Sequence, residues 1–130
     1  MNRVLSLLYH EVTDNPKTTG FQRRKAFVYK HPLKEFRQHM EFFATCATHF
    51  GKYNDFGERV LVTFDDGGKS NMISAQYLEE LNISGHFFIV TSLIGSPHFL
   101  SADEIINLHK AGHVIGSHSH THPNVFKSLT

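Results

Sequence analysis

The chain has 130 residues, 40% of them hydrophobic and 19% charged, with 13 basic residues against 12 acidic ones. That length suits one domain with one core, burying about two-thirds of the surface an unfolded chain exposes. The balanced charge argues against a nucleic-acid-binding protein, and no run of about 18 apolar residues offers a membrane span.

Arg3 to Tyr9 is a mostly apolar run of strand length and reads as a buried first strand. It is too short for a signal-peptide core, so the chain as written reads as cytoplasmic, or as extracytoplasmic if a leader has been removed. Residues 10–31 carry turn signals in Asp14-Asn15-Pro16 and Thr18-Thr19-Gly20 and read as a loop. Lys17, Arg23, Arg24, Lys25 and Lys30 make this loop basic, which suits an anionic ligand or an ordinary solvated surface. Pro32 suits a first helical turn, and Leu33, Phe36, Met40, Phe43 and Ala47 follow at the spacing of an amphipathic helix. Cys46 lies in that helix and reads as a small buried hydrophobe; as the only cysteine it excludes an intramolecular disulfide and a cysteine-rich zinc site.

After a polar loop over 51–58, Val60 to Phe64 is a short β-branched run that predicts a buried strand. Residues 70–82 predict a helix with Ile73, Tyr77, Leu78 and Leu81 on its apolar face, and His86 to Val90 predict the next strand. Ser101-Ala102-Asp103-Glu104 is a capping box that opens a third helix, closed by Ala111-Gly112. His113 to Gly116 predict a fourth strand, with a further helix start near the end of the chain. Strands alternating with amphipathic helices imply an α/β fold of parallel βα repeats joined by right-handed crossovers. Such folds bind ligands at the carboxyl ends of their strands.

Two segments loaded with chemistry fall at such ends. Asp65 and Asp66 follow one strand and precede Gly67-Gly68. Adjacent carboxylates there can divide two tasks, one holding a cation and one taking a proton, although turn formation explains Asp-Asp-Gly about as well. His118, His120 and His122 fall within five residues. On a helical turn His118 and His122 share a side; in an extended segment all three do. Either arrangement suits a two- or three-imidazole metal site, with a hydrogen-bonded polar loop as the alternative, and two His with one Asp leave the open position that catalysis needs. A metal in such a site lowers the pKa of bound water and polarises a carbonyl, while a neighbouring carboxylate accepts the water's proton, which describes ester or amide hydrolysis.

Thr63-Phe64-Asp65-Asp66-Gly67 resembles the first motif of the polysaccharide deacetylases, the NodB-homology domain of carbohydrate esterase family four. His118-Ser119-x-x-His122 followed by Pro123 resembles the second, and Ala111 to Ser117 resembles its lead-in. Leu8-Tyr9-His10 is similar to the opening strand of many members. The resemblance implies metal-dependent removal of N-acetyl groups from an amino-sugar glycan, with Asp65 as general base and Asp66, His118 and His122 as metal ligands. Ser119 or Thr121 would support the loop, His120 would be a supporting or solvent residue, and His10 would lie near the site. The metal would be a divalent ion, zinc first, with cobalt, nickel, manganese and iron compatible with the same donors.

The family's fold is a distorted (β/α) barrel longer than this chain. Its later motifs supply an arginine that orients the base and a histidine general acid, and no histidine follows His122 here. The resemblance therefore implies a single partial or shortened domain over 1–130, with an open sheet edge covered by a missing C-terminal part or by a partner copy. It also leaves an alternative: a catalytically impaired metal- or glycan-binding remnant. A third reading, from His118-x-His120-x-His122, is an amidohydrolase or PHP-type phosphoesterase, whose motif usually closes the first strand rather than the fourth.

Overall fold

The structure, a computed structural model, describes residues 3–46, 50–52 and 59–124. The side chain of Cys46, the greater part of the 51–58 loop and the helix start expected near the end of the chain lie outside the described residues.

The elements in chain order are β1 (Val4–Tyr9), β2 (Glu11–Val12), β3 (Lys30–His31), α1 (Leu33–Cys46), β4 (Arg59–Phe64), α2 (Asn71–Glu80), β5 (Gly85–Ile89), α3 (Ala102–Lys110) and β6 (Val114–Ser117), with short 3₁₀ turns at Pro16–Thr18, Arg24–Tyr29 and Thr91–Leu93. The main sheet has four parallel strands in the order β1-β4-β5-β6. Neighbours in the sheet are therefore neighbours in the chain of βα repeats, and all carboxyl ends lie along one rim. No helix among the described residues is long and apolar enough to cross a membrane.

The core forms where the helix stripes meet the sheet. Phe36 and Met40 of α1 are fully buried, as the spacing predicts, with Val62 and Phe64 of β4, Leu78 of α2, Phe87 of β5 and Leu108 of α3. Phe64 stacks on Phe87 at 4.8 Å between centroids, and Tyr9 and Phe36 extend the aromatic cluster. The capping box of α3 is present in full: Glu104 N–H donates to Ser101 Oγ and Ser101 N–H donates to Glu104 Oε2. That backbone hydrogen bond holds the Glu104 carboxyl below its ordinary range.

Three expectations are corrected. The first strand is not buried: Val4, Leu5 and Leu8 are about half exposed, at 49%, 48% and 56%. Among the described residues β1 pairs with β4 alone. The buried face of α2 is Asn71, Ser74, Ala75 and Leu78, while Ile73 and Leu81 are exposed. The first turn of α2 meets polar backbone rather than core, and Asn71 Nδ2 donates to the carbonyl of His10 at 3.1 Å. Residues 10–31 are more ordered than a loop, because Glu11–Val12 and Lys30–His31 pair in parallel and two 3₁₀ turns lie between them. Strands of two residues are too short to show an alternation.

Candidate metal centre

Asp65 and Asp66 leave the end of β4, and His118 to His122 leave the end of β6, with β5 lying between them. The end of β5 joins the two segments. Ile89 C=O accepts from His118 N–H at 2.8 Å, and Val90 N–H donates to Asp66 C=O at 3.3 Å. Leu100 N–H donates to Gly67 C=O at 2.9 Å, closing the turn from the other side.

The backbone is strained where it turns. Asp66 has φ 76°, Gly67 81°, Ser119 66° and His122 51°. Left-handed conformations cost a non-glycine residue on the order of 1 kcal/mol or more and cluster at sites whose surroundings hold them in place. At 67 only glycine fits, since a Cβ would also press on Ile89. The left-handed His122 is held by its N–H, which donates to Ser119 Oγ at 3.0 Å, and by Phe21, whose ring lies 5.0 Å from its own.

These turns bring three side chains together. His122 Nε2 lies 3.2 Å from Asp66 Oδ1, and His118 Nε2 lies 3.5 Å from the same oxygen. One ligand atom from each of Asp66, His118 and His122 falls within 4.8 Å of the others. Asp66 Oδ1 is buried and accepts no hydrogen bond from protein, whereas a buried carboxylate oxygen ordinarily has a partner. Donor atoms of a tetrahedral centre with bonds of about 2.0–2.1 Å stand roughly 3.3 Å apart. The orphaned oxygen, the donor set and the spacing all fit a divalent cation.

Asp65 stands beside this cluster, its Oδ2 3.8 Å from His118 Nε2. Burial pushes the Asp65 carboxyl up, against a downward pull from His118 and His10. His10 lines the same cavity and stacks on Tyr29 at 4.7 Å. The cavity holds about 520 Å³, with Asp65, Asp66 and His122 in its wall alongside Phe21, Tyr29, Arg23, Lys25 and Lys30 of the basic segment. Lys30 is engaged within that segment, donating to the carbonyls of Pro16 and Thr19.

His120 is exposed and turned elsewhere: its Nδ1 pairs with Thr91 Oγ1 at 2.9 Å, and its carbonyl accepts from Ser92 N–H. That geometry disfavours the His-x-His reading. Thr121 is exposed as well. Sequence reasoning missed Glu11, which lines the cavity, and Thr19, Ser70 and Asn71; all four are buried. Only Glu11 left a trace, as an acid directly after an apolar strand.

A parallel βα repeat protein with an Asp-His-His cluster on its carboxyl rim defines the class. Residues 52–129 match the sequence profile of the family described as polysaccharide deacetylase, and the chain belongs to that family. No curated protein matches it. Among solved structures it is similar to a polysaccharide deacetylase from Bacillus cereus, with 23% identity over 98% of this chain and 42% of that one, at a TM-score of 0.79. It is also similar to IcaB from Ammonifex degensii, with 22% identity over 92% of this chain and 54% of that one, at a TM-score of 0.73. A de-N-acetylase from Aggregatibacter actinomycetemcomitans is similar at 15% identity, over 89% of this chain and 53% of that one, with a TM-score of 0.68. The fold is that of the family's (β/α) barrel, and the chain spans about half the length of these neighbours.

Proposed function

We propose that the protein catalyses metal-dependent hydrolysis of N-acetyl groups on an amino-sugar glycan. The observation that carries this reading is the convergence of two histidine nitrogens on a buried oxygen of Asp66 that accepts no hydrogen bond among the described residues, with a second carboxylate alongside. Asp66, His118 and His122 would hold the ion, each histidine through Nε2. A divalent cation there supplies Lewis-acid polarisation of the acetyl carbonyl and lowers the pKa of water; zinc, cobalt, nickel, manganese and iron all suit these donors.

The chain's own groups do the rest. Asp65, kept apart from the ligand oxygen of Asp66 by the left-handed turn, accepts the proton of the attacking water. Ser119 keeps His122 in place through its hydroxyl. Tyr29, about half exposed over His10, offers a ring face on which a sugar can lie within the cavity.

Acetate release from N-acetylglucosamine oligomers tests the reading. Asp65→Asn should lower kcat by roughly 10²–10⁴-fold while metal content is retained. Unchanged turnover in that variant would refute Asp65 as the base. A second reading is metal or glycan binding without turnover. It predicts bound metal with no acetate released at any protein concentration.

A further inference from the structure

Three segments, β2, Thr19–Gly20 and Gly68–Ser70, meet at one buried carboxylate that no step above uses. Glu11, in β2, is 3% exposed, and its Oε2 accepts hydrogen bonds from Thr19 Oγ1 and Ser70 Oγ, each at 2.5 Å. The donor directions are settled from the other side. Val12 N–H already donates to Ser70 Oγ at 3.1 Å, and Ser70 N–H donates to Thr19 Oγ1 at 2.7 Å. Each hydroxyl thus accepts on one side and gives its one hydrogen to Glu11 on the other.

The other oxygen, Oε1, is buried without a hydrogen-bond partner and lies against the backbone of Gly20 and Gly68. A Cβ at either position would collide with it. Gly20 has φ +63°, so its backbone conformation alone favours glycine there. Gly68 does not lie in the left-handed region, so its need for glycine comes from the approach of Glu11. Gly68 is two residues beyond Asp66, and Ser70 leads into α2. Glu11 therefore grips the far side of the turn whose near side is anchored by β4. An apolar residue could fill the space without the cost of burying an acid, but it could not accept from both hydroxyls.

We infer that Glu11 is a positioning residue for the site: it seats the Asp65–Gly68 turn and so sets where the Asp65 and Asp66 carboxylates stand. The inference rests on the metal-dependent reading above, and its test separates the two. Cobalt(II) affinity, by competition with a chelator, and the d–d spectrum would be measured for the wild type, Glu11→Gln, Glu11→Ala, Gly68→Ala, the Glu11→Ala/Gly68→Ala double variant and Asp66→Ala. Loss of a residue that orients a ligand typically weakens metal binding by about 10–100-fold. That loss and an altered spectrum are expected for Glu11→Ala, with a smaller loss for Glu11→Gln, which keeps one acceptor and serves if the alanine variant does not fold. Gly68→Ala should be damaging alone and add little to Glu11→Ala, because the collision is gone.

Cobalt affinity and spectrum unchanged in both Glu11 variants, with only thermal stability lowered, would overturn the inference. If wild type and Asp66→Ala bind cobalt alike, the metal reading fails, and amide exchange then decides the positioning role. Faster exchange at Val90 and Leu100, which donate to Asp66 and Gly67, with Ala111 unchanged, supports it; unchanged exchange at both overturns it.

Discussion

His113 and His118 share a side chain and little else. His113 is buried, accepts from Gly85 N–H through Nδ1 at 3.0 Å and pairs through Nε2 with Glu79 at 3.1 Å. His113→Ala leaves a buried N–H without a partner and opens a cavity, so urea unfolding should show a loss of about 2–4 kcal/mol. His118 and His122 were legible as a pair from their spacing beside a strand end. Glu11 was not, because its partners Thr19 and Ser70 arrive through tertiary structure rather than through any local pattern. Its chemistry makes a separate prediction. Burial pushes the Glu11 carboxyl from 4.5 up to about 7, with Asp66 adding to the rise and Ser70, Thr19 and Lys30 opposing it. The folded state therefore holds this proton more tightly than the unfolded chain does. Its contribution to stability is full below about pH 4.5 and is lost as pH rises towards and through 7, a loss of roughly 3 kcal/mol in all. Urea midpoints between pH 5 and 8 should fall more steeply for wild type than for Glu11→Gln; parallel profiles would contradict the shift.

At the scale of elements, local rules succeeded where a local rule decides. The Ser101–Glu104 box predicts the start of α3 and is formed by both of its hydrogen bonds. Ser101→Ala should cost about 1 kcal/mol, seen as a lower thermal midpoint. The stripe of α1 likewise reads directly as Phe36 and Met40 in the core. Periodicity placed Leu78 and Tyr77 of α2 against the core but misplaced Ile73 and Leu81, because the helix starts against the turn that carries the site and buries Asn71 and Ser74 there. It also missed the pairing of β2 with β3, since two residues show no period. An apolar run cannot tell a strand with two partners from a strand with one, and among the described residues β1 pairs with β4 alone.

For the whole molecule, the alternation of strands and helices was enough to specify a parallel sheet and to put Asp65–Asp66 and His118–His122 on one rim. What the alternation could not convey is that β5 lies between those segments and ties both through Ile89 and Val90. We propose that this rim holds one divalent ion through Asp66, His118 and His122. It is tested most directly by titrating the metal-free protein with zinc, alongside Asp66→Ala, His118→Ala, His122→Ala and His120→Ala. One ion per chain is expected, with binding lost in the first three variants and unchanged in His120→Ala. No binding by the wild type, or a loss in His120→Ala equal to that in His118→Ala, would contradict it.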